Sequence, residues 1–226
     1  MKNSKLNKLL RDDTGYRSFL SQNFGIADNL EITKSVLPYY ISSMAYSLGY
    51  NRIWLSNETK RIMYFIAEND RLKELKEGCK FIIQHELGHY HEVKDKNKNA
   101  RDYFHRLLYT NSGSYRIDAF PESEATRYAI SKSNDYIEAL AGFLAISGFL
   151  YKNDIKTTID FFSEHFSNSN ITEEEKRKAV NSISSFKLSD ENYGKILNKS
   201  EGYLNKLNDN LVRSFLYKVK DKSDKN

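Results

Sequence analysis

His85-Glu86-Leu87-Gly88-His89 is the stretch of this 226-residue chain that says most about its fold and chemistry. Side chains four residues apart lie on the same face of an α-helix, one turn above each other. Two imidazoles at that spacing can hold one Zn²⁺ ion. Glu86 is rotated about 100° from His85 around the helix, so its carboxylate can flank such an ion without ligating it. The stretch therefore predicts a helix that carries a divalent metal site, with Glu86 placed to act as a general base.

The residues before this pentapeptide also favour a helix. Asn69 or Asp70 can cap its start, and no proline interrupts the run that follows. Apolar side chains recur near one stripe at helical spacing, namely Leu72, Leu75, Cys79, Ile82 and Ile83. Cys79 lies six positions before His85 and off its face, so we expect it to be a small core residue. The pattern predicts a metal-binding helix that is buried on one side.

A catalytic zinc site needs a third protein ligand and keeps one position for water. The candidates further along the chain are His91, Glu92, His105, Asp118, Glu122, Glu124, Glu138 and His165. Residues 121–130 are the best source, because Asp118 can cap a helix there and Pro121 is tolerated in a first helical turn. Glu122 and Glu124 are two apart, so both cannot face the metal. Spacing alone does not choose between them.

The pentapeptide is followed about thirty residues later by Glu-Ser-Glu-Ala-Thr-Arg-Tyr-Ala, residues 122–129. Together the two motifs resemble the ImmA/IrrE-type metallopeptidases, and they are similar to the membrane-bound HtpX-type gluzincins and their small soluble relatives. The resemblance covers about residues 40–130. It implies that Glu122 is the third zinc ligand, with Glu124 as the alternative. Thr126 stands where the family has Asn or Asp, so the hydrogen bond expected there would be weakened or rebuilt with a hydroxyl.

The resemblance also implies a zincin-like core, an α+β and mostly α-helical fold with a small β-sheet over the active-site helix. We expect a helix over Ile41–Leu48, with Gly49 as its C-terminal stop. Asn51–Ser56 alternates apolar and polar residues and predicts a strand. Arg61–Ala67 is rich in aromatic and β-preferring residues and predicts a second strand. One of these two strands, with Arg61–Ala67 favoured, would form an edge that pairs with extended substrate; the alternative is a fully covered core strand.

Tyr136–Tyr151 is the most apolar segment, and it is too short for a membrane span of about 20 residues. It predicts a core helix that packs against the metal helix, with Glu138 either near the metal or paired in the interior. Residues 1–151 would form the metallopeptidase domain and residues 152–226 a helical extension. That extension is predicted to contain helices over Thr157–Phe166, Thr172–Phe186 and Asp190–Val219, with a charged tail over Lys218–Asn226. The stripe of the last helix is expected to pack on the core or bind a partner helix.

Composition limits the class of protein. The net charge is +5 and 39% of residues are hydrophobic, which suffices for a core. Basic residues are interleaved with acidic ones rather than clustered, so nucleic-acid binding is not indicated. The single cysteine precludes an internal disulfide and suits a reducing compartment. The first residues lack the apolar run of a signal peptide, so we expect a soluble cytoplasmic protein.

Three functional hypotheses follow from these observations. The first is a zinc-dependent metallopeptidase that acts on a peptide or protein substrate. Its zinc ligands would be His85, His89 and Glu122. The second is a catalytically silent zinc-binding module of the same fold that acts through protein interaction. The intact Glu86 argues against it, because a structural zinc site has no need of a base. The third is a helical binding protein in which the pentapeptide is accidental.

Overall fold

The computed structural model describes residues 2–26, 30–32, 45–49, 52–95, 125–126, 128–164 and 189–209. Over these residues the chain is mostly helical with one small β-sheet, which confirms the α+β, mostly α-helical fold class. The helices are α1 (Lys2–Arg11), α2 (Asp13–Phe24), α3 (Asn57–Ala67), a 3₁₀ helix (Asp70–Leu75), α4 (Lys76–Asp95), α5 (Tyr136–Tyr151), α6 (Ile155–Glu164) and α7 (Asp190–Asn208). The strands are β1 (Glu31–Ile32), β2 (Ala45–Gly49) and β3 (Arg52–Leu55). Residues 125–126 and 128–131 are also helical and are called the second-motif segment below.

The sheet has the order β1-β3-β2, so the predicted strand over Asn51–Ser56 is confirmed as the central strand β3. β1 pairs with it in parallel and β2 in antiparallel orientation. The helix predicted over Ile41–Leu48 is wrong for residues 45–48, which belong to β2; residues 41–44 lie outside the described part. The pairing register shifts between Ser47 and Gly49. Gly49 therefore marks a bulge in a strand rather than the end of a helix.

The strand predicted over Arg61–Ala67 is wrong, because these residues form the second half of α3. Ser56 caps this helix, and its Oγ accepts a hydrogen bond from the Thr59 N–H at 3.0 Å. The aromatic and β-preferring side chains are there because α3 is covered on most of its surface, with Ile62 and Ile66 fully buried. A short apolar run of this kind does not distinguish a buried strand from a buried helix.

The two N-terminal helices help to cover this part of the core. α1 contacts α3, and α2 contacts α4 and β1. Tyr16 of α2 is fully buried, and its hydroxyl donates a hydrogen bond to the carbonyl of Lys60 in α3 at 2.9 Å. α4 is therefore packed between α2 and the helix Tyr136–Tyr151 that follows it in the chain.

The helix predicted around the pentapeptide is confirmed. Asn69 caps the 3₁₀ helix, its side chain accepting a hydrogen bond from the Arg71 N–H at 3.1 Å, and α4 follows without a break. All the apolar residues of the predicted stripe are buried: Leu72, Leu75, Cys79, Ile82 and Ile83. The helix runs on to Asp95, six residues past the second histidine of the pentapeptide.

α5 is the predicted core helix, and it packs directly on α4. The crossing is close: a Cβ placed on Gly78 of α4 would come 2.4 Å from the carbonyl carbon of Gly142 in α5. Only glycine at both positions allows the two backbones to approach this far. The Asp135 side chain caps the helix by accepting from the N–H groups of Ile137 and Glu138. None of the described helices is both long enough and apolar enough to cross a membrane.

The C-terminal helices join the same hydrophobic core. α7 packs along α5 through the buried residues Ile196, Leu204 and Leu207, which confirms core packing as the role of its stripe over residues 190–208. α6 corresponds to the helix predicted over Thr157–Phe166. The helix predicted over Thr172–Phe186, the end of the last helix and the charged tail lie outside the described residues. The domain boundary after residue 151 stays a prediction.

Candidate metal centre

α4 carries the whole pentapeptide on one uninterrupted stretch of helix. His85 and Glu86 are each half-buried, while Gln84 and Leu87 beside them are buried. The backbone of His89 follows one turn after His85, so both imidazoles start from the same face of the helix. The side chain of His89 lies outside what the structure describes. A half-buried imidazole beside a half-buried carboxylate suits a site that both a metal and a substrate must reach.

Thr126 of the second-motif segment contacts the first histidine of the pentapeptide. Its Oγ1 lies 3.3 Å from Nδ1 of His85, although the two residues are 41 positions apart. Thr126 is only 2% exposed, so its hydroxyl is held in place by the surrounding protein. A hydrogen bond at Nδ1 fixes the rotation of the ring and makes Nε2 the nitrogen through which His85 would bind a metal.

A second contact joins the same two segments. A Cβ placed on Gly88 would come 2.7 Å from the Cα of Ala125 and 2.8 Å from its carbonyl oxygen. Real Cβ atoms essentially never come this close to backbone, so the helix needs glycine at position 88. The glycine of the pentapeptide and the alanine of the second motif are therefore packed backbone to backbone.

An aromatic contact between Phe81 and His85 was not predicted from the sequence. The ring of Phe81 stacks on that of His85, with centroids 6.1 Å apart and an interplanar angle of 28°. Phe81 also meets Phe143 of α5, at a centroid distance of 5.1 Å. The signal in the sequence is the four-residue spacing between Phe81 and His85, which puts both rings on one helix face.

Of the two expectations for Glu138, near the metal or paired with another side chain, the structure shows the pairing. Lys199 and the hydroxyl of Tyr203, both on α7, donate to its two carboxylate oxygens. The side chain of Glu138 is 21% exposed and that of Lys199 is 41% exposed. Burial and the bond to Glu138 raise the pKa of Tyr203, so this hydroxyl stays a donor. This acid ties α5 to α7.

The remaining predicted ligands lie outside what the structure describes. This holds for the whole residues Glu122, Glu124, His105, Asp118 and His165. His91 and Glu92 belong to α4, and only their side chains lie outside the described part. Among the side chains the structure does describe, no three acidic, histidine or cysteine groups converge in a way that could hold a metal ion. Cys79 is fully buried in the core, as expected, and burial raises the pKa of its thiol. A protonated, buried thiol is a poor metal ligand.

The position of the sheet corrects the expected substrate edge. β3 is central and Arg61–Ala67 is helical, so neither predicted strand is an edge beside α4. β2 is the strand that lies against α4, and within the described part of the sheet its only strand partner is β3. Among the described strands, the sheet edge that contacts α4 thus belongs to Ala45–Gly49.

Comparison of the chain with protein-family models, with curated proteins and with solved structures found no match.

Proposed function

We propose that this chain is a zinc-dependent metallopeptidase with a zincin-like core, in which His85, His89 and Glu122 hold the metal and Glu86 is the general base. The observation that carries the proposal is the packing of the second-motif segment on the pentapeptide. Gly88 lies against Ala125, and Thr126 lies against His85. Glu122 comes three residues before Ala125 in the chain, and on that ground we propose it as the third ligand.

The donor groups suit zinc. Imidazole nitrogens and a carboxylate oxygen are the ligands of catalytic zinc sites, and the Thr126 contact directs Nε2 of His85 towards that role. Zinc, when bound, supplies a Lewis acid that polarises the scissile carbonyl and acidifies water. Glu86 would accept the proton of the attacking water and deliver it to the leaving amine. Its half-buried position allows a peptide to reach it.

The substrate is proposed to be a peptide or protein in extended form. Such a chain could add to the sheet at β2, since main-chain hydrogen bonds to an edge strand bind extended peptides without regard to their sequence. The resemblance to ImmA/IrrE-type proteins favours regulatory cleavage of a particular partner. The single, buried cysteine suits a reducing compartment, and on that ground we propose a cytoplasmic location.

Zinc analysis together with Glu86→Gln tests this proposal. We expect one zinc per wild-type chain by elemental analysis, and cleavage of an extended peptide library. The variant should keep the zinc and lose cleavage, because the amide cannot accept a proton. Glu77→Gln, on the same helix and hydrogen-bonded to Asn134, is the matched control and should cleave normally.

The outcomes separate the rival hypotheses. A wild-type chain that binds no zinc would exclude the metallopeptidase and the silent zinc module together. Zinc binding without cleavage of any library peptide would favour the silent module, and equal cleavage by wild type and Glu86→Gln would remove Glu86 from the mechanism.

A further inference from the structure

The imidazole of His85 is held from two directions. Oγ1 of Thr126 lies 3.3 Å from Nδ1, and this contact restricts rotation of the ring about the Cβ–Cγ bond. Phe81 lies against the face of the ring at 6.1 Å between centroids, within the range of offset aromatic stacking. A hydrogen bond alone still lets the ring tilt, and stacking alone still lets it turn over. The two contacts together leave the ring little freedom.

Phe81 is itself fixed by the helix crossing. It is 1% exposed, and the ring of Phe143 packs on it at 5.1 Å. Phe143 follows Gly142 directly, and a Cβ on Gly78 would come 2.7 Å from the Phe143 nitrogen. The close approach of α4 and α5 therefore brings Phe143 to Phe81, one helical turn before His85.

From these contacts we infer that Phe81, backed by Phe143, is a positioning residue that sets the His85 imidazole for metal binding before the metal arrives. The inference rests on the proposed function, because it assumes that His85 is a ligand. A preset ring loses less conformational freedom when it binds, so the affinity for the metal rises. α5 then contributes to the site through one aromatic side chain without supplying a ligand.

The test compares zinc affinity in Phe81→Leu, Phe24→Leu and the wild-type chain, by competition with a chromophoric chelator. Leucine keeps an apolar side chain at position 81 but removes the ring. Phe24 of α2 is a suitable control because it is 5% exposed and packs on Phe19. We expect Phe81→Leu to weaken zinc binding on the order of 10-fold, the scale of lost support around a ligand. Phe24→Leu should bind zinc like the wild type.

Two further measurements separate positioning from stability. Thermal unfolding of the metal-free proteins should show comparable destabilisation by the two substitutions. In NMR spectra of the metal-free chain, the ring-proton resonances of His85 should carry a ring-current shift from Phe81, so Phe81→Leu should move them. Phe143→Leu, at a half-buried position, should weaken zinc binding in the same direction and serves if Phe81→Leu does not fold.

The failures are distinguishable. A wild-type chain without affinity for zinc would overturn the proposed function and this inference together. Normal zinc binding by wild type, with Phe81→Leu and Phe24→Leu indistinguishable in affinity, would overturn only the positioning role. His85 ring resonances at the same positions in wild type and Phe81→Leu would do the same.

Discussion

Gly88 of α4 and Ala125 of the second-motif segment are in backbone contact, and a Cβ at position 88 would lie 2.7 Å from the Ala125 Cα. This contact joins the pentapeptide to the second-motif segment. Glycine is therefore required for a tertiary reason, although it weakens the helix in which it sits.

Gly88→Ala should separate the two segments. The new methyl group meets backbone, which cannot move aside as a flexible side chain does, so we expect a loss of about 1–3 kcal/mol in the free energy of unfolding. Zinc affinity should fall as well, because Thr126 moves away from His85. Urea unfolding and chelator competition measure the two effects.

Gly202→Ala is the matched control. Gly202 also lies inside a helix, α7, but nothing is within 4 Å of a Cβ placed there. Without a clash the higher helix propensity of alanine should raise stability by about 0.5–1 kcal/mol. If both glycine substitutions stabilise the chain, the close contact at position 88 does not exist.

Thr126→Val should weaken zinc binding. Valine keeps the shape of the side chain but removes the hydroxyl that meets Nδ1 of His85, and we expect a loss of roughly 10-fold in affinity. Thr158→Val is the control, since the buried Thr158 also loses one hydrogen bond, from its Oγ1 to the Asp154 carbonyl at 2.8 Å. Both variants should lose about 1 kcal/mol of stability. A zinc affinity unchanged by Thr126→Val would show that the contact does not support a ligand.

Glu138→Gln should lower stability and leave zinc binding unchanged. The carboxylate joins α5 to α7 through Lys199 and Tyr203, and hydrogen bonds to charged groups contribute about 1.5–3 kcal/mol each when well formed. Partial exposure of the cluster reduces that value, so we expect a loss of about 1 kcal/mol in urea unfolding. Loss of zinc from this variant would instead identify Glu138 as a ligand.

Cys79 should make the chain less stable at alkaline pH. Burial raises the pKa of its thiol, whereas the unfolded thiol titrates near its ordinary value of about 8.5. Above that pH the unfolded state loses the proton while the folded state keeps it, so this contribution to stability is lost as pH rises, by at most about 1.4 kcal/mol per pH unit. Cys79→Ala should flatten the decline between about pH 8.5 and 10. Parallel curves for the two proteins would contradict the burial of the thiol.

Local sequence pattern is enough to predict α4, α5 and β3. The stripe from Leu72 to Ile83 has the period of a helix, Asn69 supplies a cap, and both features act within one or two turns. The relative placement of His85 and His89 can also be predicted locally, because the spacing of two residues on a helix depends on that helix alone.

The pattern fails where an element is covered on most of its surface or is short. α3 has buried residues around most of its circumference, so its composition resembles that of a strand. β2 has only five residues and a bulge at Gly49, and its stability comes from pairing with β3 rather than from its own residues.

The amino-acid sequence by itself therefore determines α4, with its two histidines and Glu86, and the apolar helix α5. Tertiary packing decides which distant groups meet: Thr126 with His85, Ala125 with Gly88, and Glu138 with Lys199. Periodicity along a chain records which side of an element is covered but not what covers it. The partners follow from how closely the helices cross, and a crossing depends on side chains that are tens of residues apart.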